Sequence, residues 1–164
     1  MRLGVILAGV ALSVGLAGCF TADKPLLTEA NSVAPYAKIT FREQHANETT
    51  TMIRAGTAYT SPSSDGPITT RFMATDRPNW YVAEVSGPTD PGGPKVLYGI
   101  VRVDIANKRA DAFKTVGDAK DVKPGLRSCN DIICIDDLKA YIASAEAYAD
   151  GGAAPDATYD ISVE

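Results

Sequence analysis

The stretch Val-Leu-Tyr-Gly-Ile-Val-Arg-Val-Asp-Ile at residues 96–105 decides the fold class of this chain. Its side chains alternate with the two-residue period of a β-strand. One face carries four apolar residues with a glycine between them: Leu97, Gly99, Val101, Val103 and Ile105. The opposite face carries Arg102 and Asp104. The stretch therefore predicts a long strand with one face turned toward apolar surroundings.

Further strand signals lie on both sides of this stretch, separated by turn residues. Residues 106–109 predict a hairpin turn, in which Asn107 supplies the left-handed conformation, and a strand follows at 110–116. Other strands are predicted at 36–43, 50–60, 68–75, 80–85 and about 159–163. The earlier signals recur about every 10–16 residues without a helix between them, so we expect an antiparallel meander or a small barrel-like sheet.

One amphipathic helix is predicted near the end of the chain, at about 137–149. Its apolar residues repeat at helical spacing: Leu138, Tyr141, Ile142, Ala145, Tyr148 and Ala149. Asp136 is the expected N-cap, and Gly151 and Gly152 end the helix. The predicted fold class is therefore mainly β, of the α+β kind, with this helix packed against one face or one mouth of the sheet.

Composition excludes several classes of function. The 164 residues include 16 basic and 20 acidic side chains, and a net charge of −4 argues against a nucleic-acid partner. The single histidine, His45, excludes multi-histidine metal sites, and we predict neither a metal nor a cofactor. His45 lies in a polar stretch, and no Gly-x-Ser-x-Gly motif accompanies it. We therefore expect an exposed loop histidine and a protein that is not an enzyme.

Residues 1–18 differ in composition from the rest of the chain. They contain 12 apolar residues, and Arg2 is their one charged residue. The apolar run at 3–16 is shorter than the ~20 residues of a membrane-spanning helix. A positive start, an apolar middle and a small-residue end are typical of a secretory signal. The run ends in Leu16-Ala17-Gly18-Cys19, which resembles the lipobox of bacterial lipoproteins.

This resemblance implies that Cys19 is acylated on sulfur and becomes the first mature residue. The alternative is a cleaved non-lipid signal followed by an incidental cysteine. Position 20 holds a phenylalanine and not the aspartate that is associated with inner-membrane retention. The resemblance therefore favours the outer membrane, on its periplasmic face. Several acyl chains on one residue suffice for stable anchoring. We expect residues 19–33 to be the lipidated N-terminus and a tether, although Leu26 and Leu27 are alternatively docked on the single periplasmic domain at 34–164.

Cys129 and Cys134 remain after Cys19 is assigned to lipid, an even count in an oxidising compartment. A redox pair is more usually Cys-x-x-Cys, and a zinc site needs two further ligands. We therefore predict a structural disulfide that stabilises the fold by about 2 kcal/mol. Acidic residues cluster beside it, namely Asp131, Asp136 and Asp137. Helix capping and solvation explain them better than calcium does, because their spacing matches no EF-hand loop.

Aromatic residues lie on five successive predicted strands: Tyr59, Phe72, Trp80, Tyr81, Tyr98 and Phe113. Ordinary core packing is the favoured explanation. The alternative is a ligand pocket lined by four of them, with loop 87–95 at its rim; these four are Tyr59, Phe72, Trp80 and Tyr98. Glu84 shares a face with Trp80, and we expect it at an edge or facing solvent rather than in such a pocket.

Three functions follow from these features, in decreasing order of preference. The first is a membrane-anchored, non-catalytic interaction module that contacts another envelope protein. The second is a carrier of a small apolar ligand in a lipocalin-like pocket. An envelope hydrolase is least favoured, because His45 lacks catalytic partners in the sequence. The chain as a whole resembles small proteobacterial lipoproteins without an assigned activity.

Overall fold

Eight antiparallel strands close into a barrel in the computed structural model, which describes residues 20–22, 24–87, 96–113, 125–129 and 132–164. In chain order the strands are β1 (Phe20–Thr21), β2 (Lys38–Glu43), β3 (Thr49–Ala55), β4 (Ala58–Ser61), β5 (Ile68–Ala74), β6 (Trp80–Ser86), β7 (Val96–Asp104), β8 (Arg109–Phe113), β9 (Leu126–Cys129), β10 (Ile132–Ile135) and β11 (Ala157–Val163), and the helix α1 is Leu138–Asp150. The predicted mainly β fold with an antiparallel, barrel-like sheet and a C-terminal helix is confirmed.

Strands β2 to β8 form an up-and-down meander, and β11 closes the barrel between β8 and β2. Closure removes the unpaired edges that a curled sheet would expose. A carboxylate reinforces the β7–β8–β11 region, where Asp111 accepts hydrogen bonds from Arg102 (2.7 Å), Arg109 (2.9 Å) and Thr158 (2.9 Å). Burial alone raises the pKa of Asp111, but these hydrogen bonds together hold it below its usual value.

One predicted strand and one predicted turn residue differ from the structure. The predicted strand at 50–60 is a hairpin of β3 and β4, which turns at Gly56 with a φ of 65°. A glycine takes this left-handed conformation without steric cost, so Gly56 was the available signal. In the β7–β8 turn the left-handed residue is Lys108 (φ 53°), and the Asn107 side chain instead donates to Asp104 at 2.7 Å.

A second, smaller sheet contains β1, β10 and β9 in that order. Its β9–β10 hairpin lies in a stretch for which the sequence predicted no strand. Cys129 and Cys134 are disulfide-bonded across this hairpin, as predicted, with their Cα atoms 5.9 Å apart. The bridge fixes the chain immediately before it enters α1.

The N-cap of α1 is Asp137, and the prediction of Asp136 is wrong by one residue. The Asp137 side chain accepts from the backbone N–H groups of Lys139 and Ala140, at 2.9 and 3.1 Å. Asp136 instead accepts from the Arg127 guanidinium at 2.9 Å. Because β10 continues to Ile135, the chain reaches a capping conformation one residue later than the periodicity suggested. Among the described residues, no helix is long and apolar enough to cross a membrane.

The main hydrophobic core lies outside the barrel, between its β6–β8 wall and a covering layer. This layer consists of α1, the small sheet and the N-terminal segment, by which we mean the described residues between positions 20 and 33. Its fully buried members come from all of these elements: Phe20, Leu27, Trp80, Val82, Val96, Tyr98, Ile100, Phe113, Leu126, Ile133, Ile135, Tyr141 and Ala145. The outer face of β6 and of the first half of β7, up to Ile100, is therefore buried and mostly apolar, although an outer barrel face is usually polar. Further along β7, Arg102 and Asp104 are exposed on the same face.

The N-terminal segment belongs to this covering layer. Phe20 is 1% exposed and pairs with Ile133 of β10, and Leu27 is 2% exposed. Leu26 packs against the same core. The sequence offered a tether or a docked segment for residues 19–33. For the part that the structure describes, residues 20–22 and 24–33, it shows the docked arrangement.

Candidate functional site

The inner face of the barrel surrounds a cavity of about 150 Å³. Every barrel strand except β4 contributes apolar side chains to the lining of this cavity: Ile39, Phe41, Met52, Phe72, Tyr81, Ala83, Val101, Val103, Ala110, Ala112, Ile161 and Val163. Strand β4 contributes Tyr59. Several of these side chains are only partly buried, whereas Val82, Val96, Tyr98 and Ile100 on the outer side of β6 and β7 are at most 2% exposed. The barrel thus keeps an apolar interior that its own side chains do not fill.

The cavity reaches one end of the barrel, which we call the mouth. There its lining includes Pro35, Asn79 and Ile105, all of which are exposed. The opposite end, which we call the floor, is occupied by side chains. Phe41 packs against the buried Val85 there, together with Ile68, and its ring meets the Tyr159 ring edge-on, with the centroids 5.8 Å apart.

A short segment at residues 33–37 lies beside the mouth. The Val33 N–H donates to the Phe72 carbonyl at 2.8 Å. The Tyr59 hydroxyl accepts from the Tyr36 N–H (3.2 Å) and donates to the Tyr36 carbonyl (3.1 Å). The N-terminal segment that covers the outer core therefore continues to the cavity and contributes Pro35 and Tyr36 to its wall.

The cavity carries no ionised group among the described residues. None of its described lining residues is acidic, basic or histidine. Burial raises the pKa of Tyr59, and it raises the pKa of Tyr159 to about 12, so both phenols stay protonated near neutral pH. The interior is thus electrically neutral.

One polar side chain inside the cavity lacks a partner. Thr70 is 2% exposed and lines the cavity, and its Oγ1 makes no hydrogen bond to the described residues. Ser61, also on the inner face of the β4–β5 wall, is 3% exposed, and its Oγ makes none with the described residues. Leaving a buried hydroxyl unsatisfied costs about 1–3 kcal/mol. Of the five described residues with such a hydroxyl, Ser32, Thr57, Ser61, Thr70 and Tyr141, it is Thr70 that lines the cavity.

The structure separates the four aromatics that the sequence placed in one pocket. Tyr59 and Phe72 line the cavity, with their ring centroids 5.9 Å apart. Trp80 and Tyr98 lie on the outer wall in the main core. Side chains alternate along a strand, so Tyr81 faces the cavity and Trp80 faces outward. Trp80 stacks on Phe113 at 5.5 Å between centroids.

The expectation that Glu84 faces solvent is wrong. Glu84 is 3% exposed and lies on the outer wall beneath the N-terminal segment. Its Oε2 accepts from the N–H groups of Leu26 (2.9 Å) and Leu27 (2.8 Å) and from the Tyr98 hydroxyl (2.7 Å). Burial and this last bond raise the pKa of Tyr98. Glu84 therefore fastens the N-terminal segment to the barrel rather than serving a ligand.

The remaining sequence candidates are placed apart from the cavity. His45 is exposed in the β2–β3 turn. In the described part of the chain, no group of three or more His, Cys, Asp or Glu side chains is placed to hold a metal ion. Cys19 and the signal segment 1–18 lie outside the described residues, as do Asp131 and positions 88–95 of the predicted rim loop.

Sequence reasoning missed most of the cavity wall because it selected residues by aromatic type. Counting in steps of two from Phe72 reaches Thr70, and from Leu97 it reaches Val101 and Val103. For β7 the alternation of side chains correctly predicted which residues share the inner face. It was ambiguous for β6, Trp-Tyr-Val-Ala-Glu-Val-Ser, because both faces of that strand are apolar.

Comparisons of the chain with protein-family models, with curated proteins and with solved structures find no match.

Proposed function

We propose that this protein is a lipid-anchored protein of the bacterial envelope whose barrel binds a small apolar molecule. The observation that carries the proposal is the unfilled cavity of about 150 Å³, enclosed by a closed barrel and lined by apolar side chains. Ligand sites are typically concave and mostly apolar, with a few polar groups that orient the ligand. The hydroxyl of Thr70 is a group of this kind, whereas the Tyr59 hydroxyl is hydrogen-bonded to the Tyr36 backbone.

The size of the cavity limits the ligand. An apolar protein cavity of about 150 Å³ is known to bind benzene. One aromatic ring or a short aliphatic chain therefore matches the enclosed volume. A longer molecule would extend through the mouth, past Pro35 and Ile105. Each buried CH₂ group contributes about 0.8 kcal/mol to such binding.

Filling the cavity should abolish binding. We expect the mature protein to bind toluene, a single ring with one methyl group, and Ala112→Phe to weaken that binding at least about tenfold by occupying the space. Ala112 lines the cavity and is 2% exposed, whereas Ala147 lies on the exposed side of α1. Ala147→Phe is therefore the matched control. Isothermal titration calorimetry measures the affinities, and thermal unfolding checks that each variant folds, since overpacking typically costs 1–3 kcal/mol. Absence of toluene binding by the wild type would refute the carrier function.

The proposed anchor is the lipid on Cys19, and the fold determines how it would hold the barrel. The next residue, Phe20, is buried in the small sheet. Thr21 donates to the carbonyl of Val96 at 2.7 Å, and Val96 begins β7 at the floor end of the barrel. Ile105, which follows the other end of β7, lies at the mouth. A lipid on Cys19 would then attach the barrel near its floor, with the mouth away from the bilayer.

A second candidate function is the interaction module that the sequence favoured. The described residues include three exposed large aliphatic side chains, Val33, Ile53 and Ile105, with exposures of 37%, 49% and 41%. All three lie toward the mouth. Exposed apolar residues around the same end of the barrel favour a contact with another protein there.

Site-specific photo-crosslinking in cells tests this second function. A benzoyl-phenylalanine residue at position 53 or 105 is expected to yield one discrete crosslinked envelope protein. The same residue at position 65, in the β4–β5 turn at the floor end, serves as the control and should yield none. Equal crosslinking from all three positions, or from none, would count against a docking surface at the mouth.

A further inference from the structure

The unpaired hydroxyl of Thr70 indicates what kind of ligand the cavity takes. Thr70 lies on β5, directly opposite Tyr59 of β4, and its Oγ1 is buried without a hydrogen-bond partner among the described residues. Thr70 lines the cavity, so this buried hydroxyl belongs to the wall against which a bound molecule would pack. A hydroxyl both donates and accepts, so it pairs with an alcohol, a phenol or a carbonyl oxygen.

The absence of charged side chains from the described cavity wall further limits the class of ligand. Its described lining residues include no cation or anion, and the buried Tyr159 phenol keeps its proton near neutral pH. Transferring an ionised carboxylate or ammonium into such surroundings without a partner is strongly unfavourable. A charged group on a ligand would therefore have to remain outside the mouth. The group that reaches Thr70 must be neutral.

We propose that the cavity selects an uncharged molecule with a single-ring or short-chain apolar body and one hydroxyl or carbonyl group, which hydrogen-bonds to Thr70 Oγ1. This inference rests on the proposed carrier function and names its ligand class. Phe72 and Met52 enclose the apolar body, and Thr70 orients the polar group. The cavity thus discriminates a phenol or alcohol from the hydrocarbon of the same shape and from the corresponding acid.

Three ligands of matched shape test the proposal: toluene, p-cresol, which adds one neutral hydroxyl, and p-toluate, which adds a carboxylate. They are titrated at pH 7 into the mature chain from residue 19 carrying Cys19→Ser. All the described packing lies within residues 20–164, so this chain retains the barrel and its covering layer. The variants are Thr70→Val, which replaces the hydroxyl with a methyl group, and Thr69→Val, its outward-facing neighbour on β5, as the matched control.

The wild type and Thr69→Val are expected to bind p-cresol more tightly than toluene, and p-toluate at least about tenfold more weakly than p-cresol. Thr70→Val should weaken p-cresol binding by about 2- to 10-fold, the worth of one hydrogen bond, and leave toluene binding equal or tighter. Equal losses for p-cresol and toluene would assign Thr70 a packing role and overturn the inference. Unchanged p-cresol binding in Thr70→Val would also overturn it, while leaving the carrier function intact. If neither neutral ligand binds the wild type, both proposals fail.

Discussion

Replacing Glu84 with leucine is expected to lower the free energy of unfolding by about 3 kcal/mol. The substitution removes the oxygen that accepts from the N–H groups of Leu26 and Leu27 and from the Tyr98 hydroxyl. The Leu26 N–H keeps a second acceptor, the Tyr98 hydroxyl oxygen at 2.8 Å. Each donor then lies in or beside the main core without that acceptor. Hydrogen bonds to a charged group contribute about 1.5–3 kcal/mol each, and leucine recovers part of this by avoiding the burial of a carboxylate.

Urea-induced unfolding measures the effect of this substitution. Glu84→Gln retains an acceptor oxygen at the same place and should lose about 1 kcal/mol. Glu48→Leu, on the exposed β2–β3 connection, controls for the loss of a carboxylate in general and should change stability by less than about 0.5 kcal/mol. Amide hydrogen exchange adds a local readout, since the Leu27 N–H loses its acceptor in Glu84→Leu and should exchange faster, more so than the Leu26 N–H, which keeps the Tyr98 hydroxyl. A loss no larger than that of Glu48→Leu would show that Glu84 does not fasten the segment.

The second large effect concerns location. Cys19→Ser is expected to abolish incorporation of labelled palmitate and to move the protein from the membrane fraction to the soluble fraction. The cysteine sulfur is the group that the lipid chemistry requires, and each buried CH₂ of an acyl chain contributes about 0.8 kcal/mol to membrane binding. Because Cys19 precedes the first described residue of the packed domain, the barrel should keep its stability and its cavity.

A matched control distinguishes the role of Cys19 from that of the two disulfide-bonded cysteines. The double variant Cys129→Ser/Cys134→Ser loses the disulfide but keeps Cys19, so it should still incorporate palmitate. Continued labelling of Cys19→Ser would refute the proposed lipid anchor. Toluene binding by the released protein would show that the cavity works independently of the membrane.

The strand signals predicted most of the barrel because segments rich in β-branched and aromatic residues alternate with turn residues along the chain. The alternation at 96–105 and the turns beside it were sufficient for β7 and β8. The small sheet was missed, because β1, β9 and β10 have two to four residues each, too few for a period to emerge. The pairing of β1 with β10 also joins residues more than 100 positions apart, such as Phe20 with Ile133.

The site was predicted only in part, for a related reason. Tyr59 and Phe72 were identified from their aromatic rings and do line the cavity. Trp80 and Tyr98 carry equally apolar rings but lie on the other face of the wall. The residue type does not reveal the face when α1 covers the outside of the barrel with a second apolar layer. Thr70 was not predicted as a site residue, because a threonine on a strand is common and only its surroundings in the fold distinguish it.

The sequence by itself determined the fold class, the cysteine pair and the terminal helix. These features depend on local periodicity and on chemistry carried by individual residues. Tertiary structure alone decided which apolar face became the core and which became the cavity. Burial of both faces of β6 weakens the polar–apolar alternation that normally separates inside from outside. Only the closure of the barrel by β11, and the docking of α1 and the N-terminal segment on its wall, leaves the inner face unfilled and places Thr70 there without a partner.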